Sequence, residues 1–164
     1  MKRFVCFLML LCFLLSGCSM SGERIKEPVT FYYPRAEYEY GARGSVIGAE
    51  ERESSGHKNE LSYLLTLYLM GPSDDTLVPA MPGNTWIVSM DQTASAITIE
   101  FTDTSLSMTD AEYSLACACL SLTCMGLTDA ERVTVRSGAR SVTMNRDNLT
   151  LYDGITAEST EETQ

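Results

Sequence analysis

The segment Thr109 to Leu127, TDAEYSLACACLSLTCMGL, carries the strongest structural signal in the sequence. Thr109 and Glu112 form a Thr-x-x-Glu capping box, which is typical of a helix N-terminus. Asp110 adds a negative charge where the helix dipole is positive. Apolar residues then cover a wide face up to Gly126, where the helix is expected to end. A face this wide indicates a well-buried helix.

A β-hairpin is predicted upstream of this helix. Residues 85–90 and 94–102 both alternate apolar and polar side chains, and the short gap between them indicates a turn. In the first of these strands, Trp86, Val88 and Met90 fall on one side. The alternation therefore predicts two antiparallel neighbours in a sheet.

A second hairpin is predicted downstream. Residues 133–136 and 142–144 alternate around Ser137-Gly138, which offers a turn, and Leu149 and Leu151 are expected to extend the sheet. Closer to the N-terminus, residues 29–33 alternate between two prolines and predict a short strand, and residues 45–53 predict a weaker one.

One more helix is predicted between these strands and the first hairpin. It begins near Asn59 and stops at Met70-Gly71-Pro72, because Gly71 can adopt the left-handed conformation and Pro72 cannot continue the helix. The residues of its apolar face recur at helical spacing: Leu61, Leu64, Leu65, Tyr68 and Leu69. The element order predicts an α+β domain over residues 28–152, with a single antiparallel or mixed sheet built from hairpins and two helices packed on one face.

The N-terminus has the layout of a lipoprotein signal peptide over residues 1–17. Lys2 and Arg3 precede an apolar run at 4–15, which at about 1.5 Å per residue is too short to span a bilayer. Leu15-Ser16-Gly17-Cys18 resembles a bacterial lipobox, which predicts acylation of Cys18 by palmitate-type chains. The alternative is an ordinary secretory peptide with an incidental cysteine.

The lipid would hold the chain at the outer face of the cytoplasmic membrane, in a Gram-positive type of cell envelope. Residues 18–27 are predicted to be the tether, with a typical reach of about 17 Å. Residues 153–164 are acidic, contain no aromatic residue and are expected to be a disordered tail. The domain would therefore work close to the lipid.

The charge balance excludes one class of partner. The 164 residues include 22 acidic and 12 basic side chains, a net charge of −10, and no basic stripe occurs along the chain. Phosphate backbones are repelled by such a surface. Nucleic acids are not expected as partners.

Three cysteines remain in the predicted domain: Cys117, Cys119 and Cys124. Cys117 and Cys124 are about 10.5 Å apart along a helix axis, which is too far for a disulfide, and Cys-x-Cys without a second ligand pair lacks zinc spacing. Buried thiols that behave as small hydrophobic groups are the preferred interpretation. A reactive or intermolecular cysteine is the alternative.

No residue pattern indicates catalysis, a metal or a cofactor, so the chain is not expected to be an enzyme. His57 is the only histidine and lies in a polar segment before the first helix, where a solvated role is expected. A glycosidase would need two carboxylates across a sugar cleft. The candidate carboxylates fit capping or turn positions better: Asp74, Asp75, Asp103, Asp110 and Asp129.

Tyrosines near the start of the domain are the candidate interaction surface. Strand alternation should bury one of Tyr32 and Tyr33 and expose the other. Tyr38 and Tyr40 follow in the connecting segment. Because tyrosine is enriched at interface hot spots, Tyr32, Tyr38 and Tyr40 are predicted to contact a partner. Alternatively they only cover the edge of the sheet.

Several motifs follow one another along residues 28–146: Leu69-Met70-Gly71-Pro72, Pro82-Gly83-Asn84-Thr85, residues 94–101, the buried helix and Arg132-Val133-Thr134-Val135. Through these motifs, residues 28–146 resemble the GerMN domain, found in sporulation and spore-germination lipoproteins of Gram-positive bacteria. Two turns depart from its pattern, near Asp91 to Ser95 and at Arg136 to Arg140, where Ser-Gly-Ala replaces Asp-Gly.

The resemblance implies an envelope lipoprotein that acts as a non-catalytic interaction and assembly module in sporulation or spore germination. Its partners would be envelope or sporulation proteins, or further copies of itself. Binding of a solute or cell-wall fragment is the alternative, and a cell-wall hydrolase is a third, less favoured one.

Overall fold

The computed structural model describes residues 25–37 and 46–149. The predicted signal peptide, Cys18, Tyr38, Tyr40 and the acidic tail lie outside these residues. Within them, no helix is long and apolar enough to cross a bilayer. The described elements are β1 (Pro28–Pro34), β2 (Ile47–Glu53), α1 (Leu61–Leu69), β3 (Ile87–Gln92), β4 (Ala96–Phe101), α2 (Asp110–Leu127), β5 (Arg132–Ser137), β6 (Arg140–Asn145) and a 3-10 helix (Arg146–Asn148).

The α+β class is confirmed, but the prediction of a single sheet is wrong. β1 and β2 form a two-stranded antiparallel sheet, and the other strands form a four-stranded sheet in the order β3-β4-β5-β6. Both predicted hairpins are present, as β3-β4 and β5-β6. β4 and β5 pair in parallel because α2 carries the chain back across the sheet between them.

Helix α2 packs against both sheets, through β1 on the smaller sheet and through β5 and β6 on the larger one. The expectation that both helices lie on one face of one sheet is therefore wrong. The wide apolar face explains this arrangement, since it supplies buried side chains in two directions. Cys117 and Cys119 are both fully buried although they point to opposed sides of the helix.

Both ends of α2 are held by side chains. The capping box is confirmed: Glu112 N donates to Thr109 Oγ1 at 3.3 Å, and Thr109 N donates to Glu112 Oε2 at 2.7 Å. The helix ends at Leu127, one residue beyond Gly126. Arg146 Nη2 donates to the Met125 carbonyl at 2.8 Å, which satisfies part of the C-terminus.

The predicted extension of the sheet at Leu149 is wrong. Arg146–Asn148 form a 3-10 helix after β6, so Leu149 follows that turn instead of continuing a strand. Arg146 is committed to the end of α2, and its backbone N–H donates to the Glu131 carbonyl. The chain therefore bends away from the sheet at the point where a strand was expected. Leu151 lies outside the described residues.

Helix α1 covers the inner face of the smaller sheet through three aromatic rings. The rings of Tyr33 and Tyr68 are stacked with centroids 4.6 Å apart, and Phe31 meets Tyr68 edge-on at 5.8 Å. Tyr33 Oη donates to the Tyr68 carbonyl, and Tyr68 Oη donates to the Tyr32 carbonyl. The helix ends as predicted, with Gly71 at φ +87°.

Candidate interaction surface

The structure separates the predicted tyrosines. Tyr33 is fully buried, as strand alternation predicted, whereas Tyr32 is partly buried against the core and not exposed as expected. The Tyr32 backbone is held on both sides, because its N–H donates to Thr123 Oγ1 at 2.9 Å and its carbonyl accepts from Tyr68. Tyr38 and Tyr40 fall outside the described part of the chain, so the role of this group stays a prediction.

Sequence alternation missed a second surface, on edge strand β3. Ile87 pairs with Phe101 and Met90 pairs with Ile99, so these residues share the inward face. A bulge between Ile87 and Ser89 inserts Val88 as an extra residue. The prediction that Trp86, Val88 and Met90 share one side is therefore wrong, because the bulge shifts the alternation by one position.

Two large apolar side chains at this edge are left in solvent. Trp86 is 61% exposed and Val88 is 58% exposed. Trp86 is fixed in the sheet by Thr102, whose N–H donates to the Trp86 carbonyl at 3.1 Å. We call Trp86, Val88, Ser89, Asp91 and Glu100 the β3 surface. No sequence signal marked it, since an apolar run at a strand usually indicates burial.

The β3 surface carries acidic groups beside its apolar ones. Ser89 Oγ donates to Glu100 Oε2 at 3.1 Å, which places Glu100 next to β3 on the outer face of the sheet. Asp91 pairs across to Thr98 and is exposed. In the described ranges, no ion pair includes Asp91 or Glu100. An exposed apolar pair and two carboxylates thus occupy one sheet edge.

Two of the candidate carboxylates, Asp74 and Asp103, serve local structure, as predicted. Asp74 Oδ1 accepts from the Thr76 hydroxyl and N–H, and Asp103 Oδ1 accepts from Ser105 N–H at 2.8 Å. These hydrogen bonds lower the pKa of both carboxyl groups. Asp110 is exposed at the start of α2 and lies 3.7 Å from Arg140 Nη1.

His57 lies at the entry to α1. Its Nδ1 is 3.0 Å from Glu60 Oε1, and its ring stacks on Tyr63 with centroids 4.1 Å apart. The side chain is 41% exposed, in agreement with the predicted solvated position. These contacts orient the imidazole along the surface of α1.

The three cysteines of α2 are free and buried, as predicted. Burial raises the pKa of Cys117 to about 11 and the pKa of Cys119 and of Cys124 to about 12. Such thiols stay protonated at neutral pH and are poor nucleophiles. Within residues 25–37 and 46–149, no group of three or more metal-ligating side chains occurs.

A cavity of about 560 Å³ lies along the free edge of β2, beside the C-terminal end of α1. Glu50 Oε1 accepts from Ser73 N–H at 2.9 Å, whereas Glu50 Oε2 is buried and makes no hydrogen bond to the described residues. Arg52 Nη1 donates to the carbonyls of Leu67 and Gly71. Glu50 therefore lines the cavity with a carboxylate that has one buried oxygen without a hydrogen bond to the described residues.

No protein-family model and no curated protein matches this sequence. Among solved structures, the chain is similar to the tandem GerMN domains of the sporulation protein GerM from Bacillus subtilis, at 20% identity and a TM-score of 0.49. That match covers 77% of this chain and 44% of the other. The chain is also similar to a candidate lipoprotein from Clostridium perfringens, at 15% identity and a TM-score of 0.42, over 74% of this chain and 90% of the other.

Proposed function

We propose that this chain is a lipid-anchored envelope protein that binds other proteins and catalyses no reaction. The observation that carries the proposal is the β3 surface, where Trp86 and Val88 are more than half exposed outside a filled core. Tryptophan is enriched at interface hot spots, and apolar side chains on a sheet edge favour association. The resemblance of the sequence to GerMN motifs supports an assembly role in sporulation or spore germination.

The proposed localisation is the outer face of the cytoplasmic membrane. It is supported by the sequence Leu15 to Cys18, which resembles a lipobox. The ten residues from Cys18 to the strand leave about 17 Å of typical reach. The β3 surface would then meet partners that are themselves close to the membrane.

Anchoring is tested by metabolic labelling with an alkyne fatty acid. Wild type and Cys12→Ser should be labelled and sediment with membranes, whereas Cys18→Ser should lose the label. Globomycin should block processing of the wild type. Secretion of an unlabelled, processed wild-type chain into the medium would contradict the anchor and leave the interaction surface to be judged separately.

Interaction is tested by a photo-crosslinking amino acid placed at Val88 in cells. A discrete crosslinked product is expected, because Val88 lies on the proposed contact surface. Met70 is the matched control, since it is 77% exposed and belongs to the end of α1. Absence of a product at Val88, or the same product at both positions, would overturn the proposal for this surface.

The predicted tyrosine surface is tested in the same cells. Tyr38→Ser and Tyr40→Ser are expected to weaken partner pull-down without changing the melting temperature, because both side chains are proposed to contact the partner. Unchanged pull-down would remove them from the interface. Tyr32 is left out of this pair because its partial burial makes a stability effect inseparable from a binding effect.

Binding of a cell-wall fragment is a second candidate function. The cavity beside β2 favours it, because the Glu50 carboxylate lines this cavity and its Oε2 makes no hydrogen bond to the described residues. Calorimetry with purified soluble muropeptides should show saturable binding to the wild type and weaker binding to Glu50→Gln. No binding, or equal binding to both proteins, would exclude this function for the cavity.

A further inference from the structure

We infer that the β3 surface binds an extended, basic segment of a partner protein, an inference that rests on the proposed function. Asp91 is the residue that determines which charge the partner must carry. Its neighbours across the sheet are Thr98, Thr134 and Thr143, so the strands beside it supply no positive charge in that row. A lysine or arginine of the partner would complete this position.

The second carboxylate lies in the adjacent row. Glu100 faces Ser89 on one side and pairs across to Arg136 on the other. Arg136 belongs to β5, two strands from β3 and thus about 10 Å away. Its charge compensates Glu100 in part and leaves the outer edge of the sheet acidic.

The apolar part of the surface determines the rest of the partner's chemistry. Trp86 and Val88 offer a contact for an aliphatic side chain, and the exposed indole can also take a cation against its face. After the bulge, Ser89 to Gln92 continue in regular register with one edge unpaired by the described strands. An extended segment with alternating basic and aliphatic residues matches both features.

A second copy of the chain fits this surface less well. Each copy carries a net charge of −10, so self-association brings like charges together. A basic partner gains from the same charge that opposes a second copy.

Trp86 is the only tryptophan in the chain, so its fluorescence reports on this surface alone. The purified full-length chain in detergent is titrated with a short peptide that alternates lysine and valine, and with a matched peptide in which glutamate replaces lysine. The lysine peptide should give a saturable blue shift that weakens as salt is added. The glutamate peptide should give none.

Asp91→Lys should lower the affinity for the lysine peptide at least about fivefold. Asp75→Lys makes the same charge change at an exposed loop position and should leave this affinity within about twofold of wild type. Equal binding of both peptides, an unchanged affinity in Asp91→Lys, or no saturable shift with the lysine peptide would each overturn the inference. Crosslinking at Val88 separates this result from the proposed function. If the crosslinked product still forms in Asp91→Lys, the protein-binding function stands and the proposal of a basic partner segment is wrong.

Discussion

Gly138 occupies the first position of the two-residue turn that joins β5 to β6. Its φ is +59°, as the primed turns of two-residue hairpins require, and Ser137 pairs with Arg140 on either side. The Asp103 carboxylate lies against this turn. A Cβ placed on Gly138 would be 2.6 Å from Asp103 Cγ, so both the backbone conformation and the packing select glycine here.

Gly138→Ala is therefore expected to lower the free energy of unfolding by about 1–3 kcal/mol. Urea denaturation followed by circular dichroism measures it. Gly83→Ala is the control, because a Cβ at Gly83 meets nothing within 4 Å and should change stability by no more than about 0.5 kcal/mol.

Gly56→Ala separates the two causes. Gly56 has φ +83°, but a Cβ there meets no atom within 4 Å, so its substitution reports backbone strain alone. The loss of stability is expected to be smallest for Gly83→Ala, larger for Gly56→Ala and largest for Gly138→Ala. If Gly138→Ala costs no more than Gly56→Ala, the Asp103 contact does not constrain the turn.

Glu112 makes the stability of α2 depend on pH. Its pKa lies below the usual 4.5 because the Thr109 N–H, and then the Thr109 hydroxyl, donate to the carboxylate. A lowered pKa in the folded state means that the stabilisation is present above 4.5 and is lost as pH falls through the folded value.

Glu112→Gln should therefore lose less stability than wild type on acidification from neutral pH to about pH 3, measured by urea midpoints at each pH. Glu131→Gln, at an exposed glutamate outside the capping box, should follow the wild-type curve. Parallel curves for wild type and Glu112→Gln would show that the capping carboxylate does not cause the acid sensitivity.

Helix α2 contacts both sheets. Because it is covered on two sides, its thiols are shielded in all directions, and burial holds their pKa values at about 11 to 12. In the folded protein, Cys117, Cys119 and Cys124 should not react with iodoacetamide at about pH 8. In urea all three should react, and peptide mass spectrometry should locate the label. Labelling of the folded chain would place a thiol at the surface.

Arg52 joins β2 to the end of α1. Its Nη1 donates to the carbonyls of Leu67 and Gly71 at 3.3 and 2.9 Å, and its guanidinium lies 5.8 Å from the Phe31 ring centre. Arg52→Met keeps the apolar stem and removes these hydrogen bonds, so a loss of about 1.5–3 kcal/mol is expected. Arg132→Met, at an exposed arginine of β5 that pairs across to Ala96, is the matched control and should remain within about 0.5 kcal/mol. Thermal or urea unfolding measures the loss of stability in both variants. Equal losses would show that the hydrogen bonds of Arg52 do not stabilise the end of α1.

One hydrophobic core joins the two sheets. Buried residues of β1, α1, α2, β4 and β5 belong to the same cluster. The two sheets are therefore expected to unfold together, as small domains with one core do. Trp86 reports on the larger sheet, whereas far-ultraviolet circular dichroism reports on the entire fold.

The two signals should give one coincident urea transition. Val29→Ala, a cavity-forming change in the smaller sheet at a residue only 3% exposed, should move both signals by the same amount, about 2 kcal/mol. A change confined to circular dichroism, with Trp86 unaffected, would show that the sheets are separate folding units.

The candidate site was predictable only in part. The lipobox-like sequence and the tyrosines could be proposed because they are local patterns, and both stay predictions. The β3 surface was missed, because alternation at Trp86, Val88 and Met90 assumes regular pairing, and the bulge at Val88 exists only relative to β4. A one-residue shift moves side chains to the opposite face of a strand, so no count along the sequence could place Trp86 in solvent.

Local sequence patterns were enough to predict several features: the capped start of α2, the glycine end of α1, both hairpins and the buried thiols. Each depends on residues a few positions apart, where backbone geometry and hydrogen bonding act locally. The three-dimensional fold was needed to show that β4 pairs in parallel with β5, that the strands divide into two sheets and that α2 contacts both. Alternation tells which side of a strand is apolar, but several strands offer equivalent faces. Their partners are chosen by the packing of the whole core around α2.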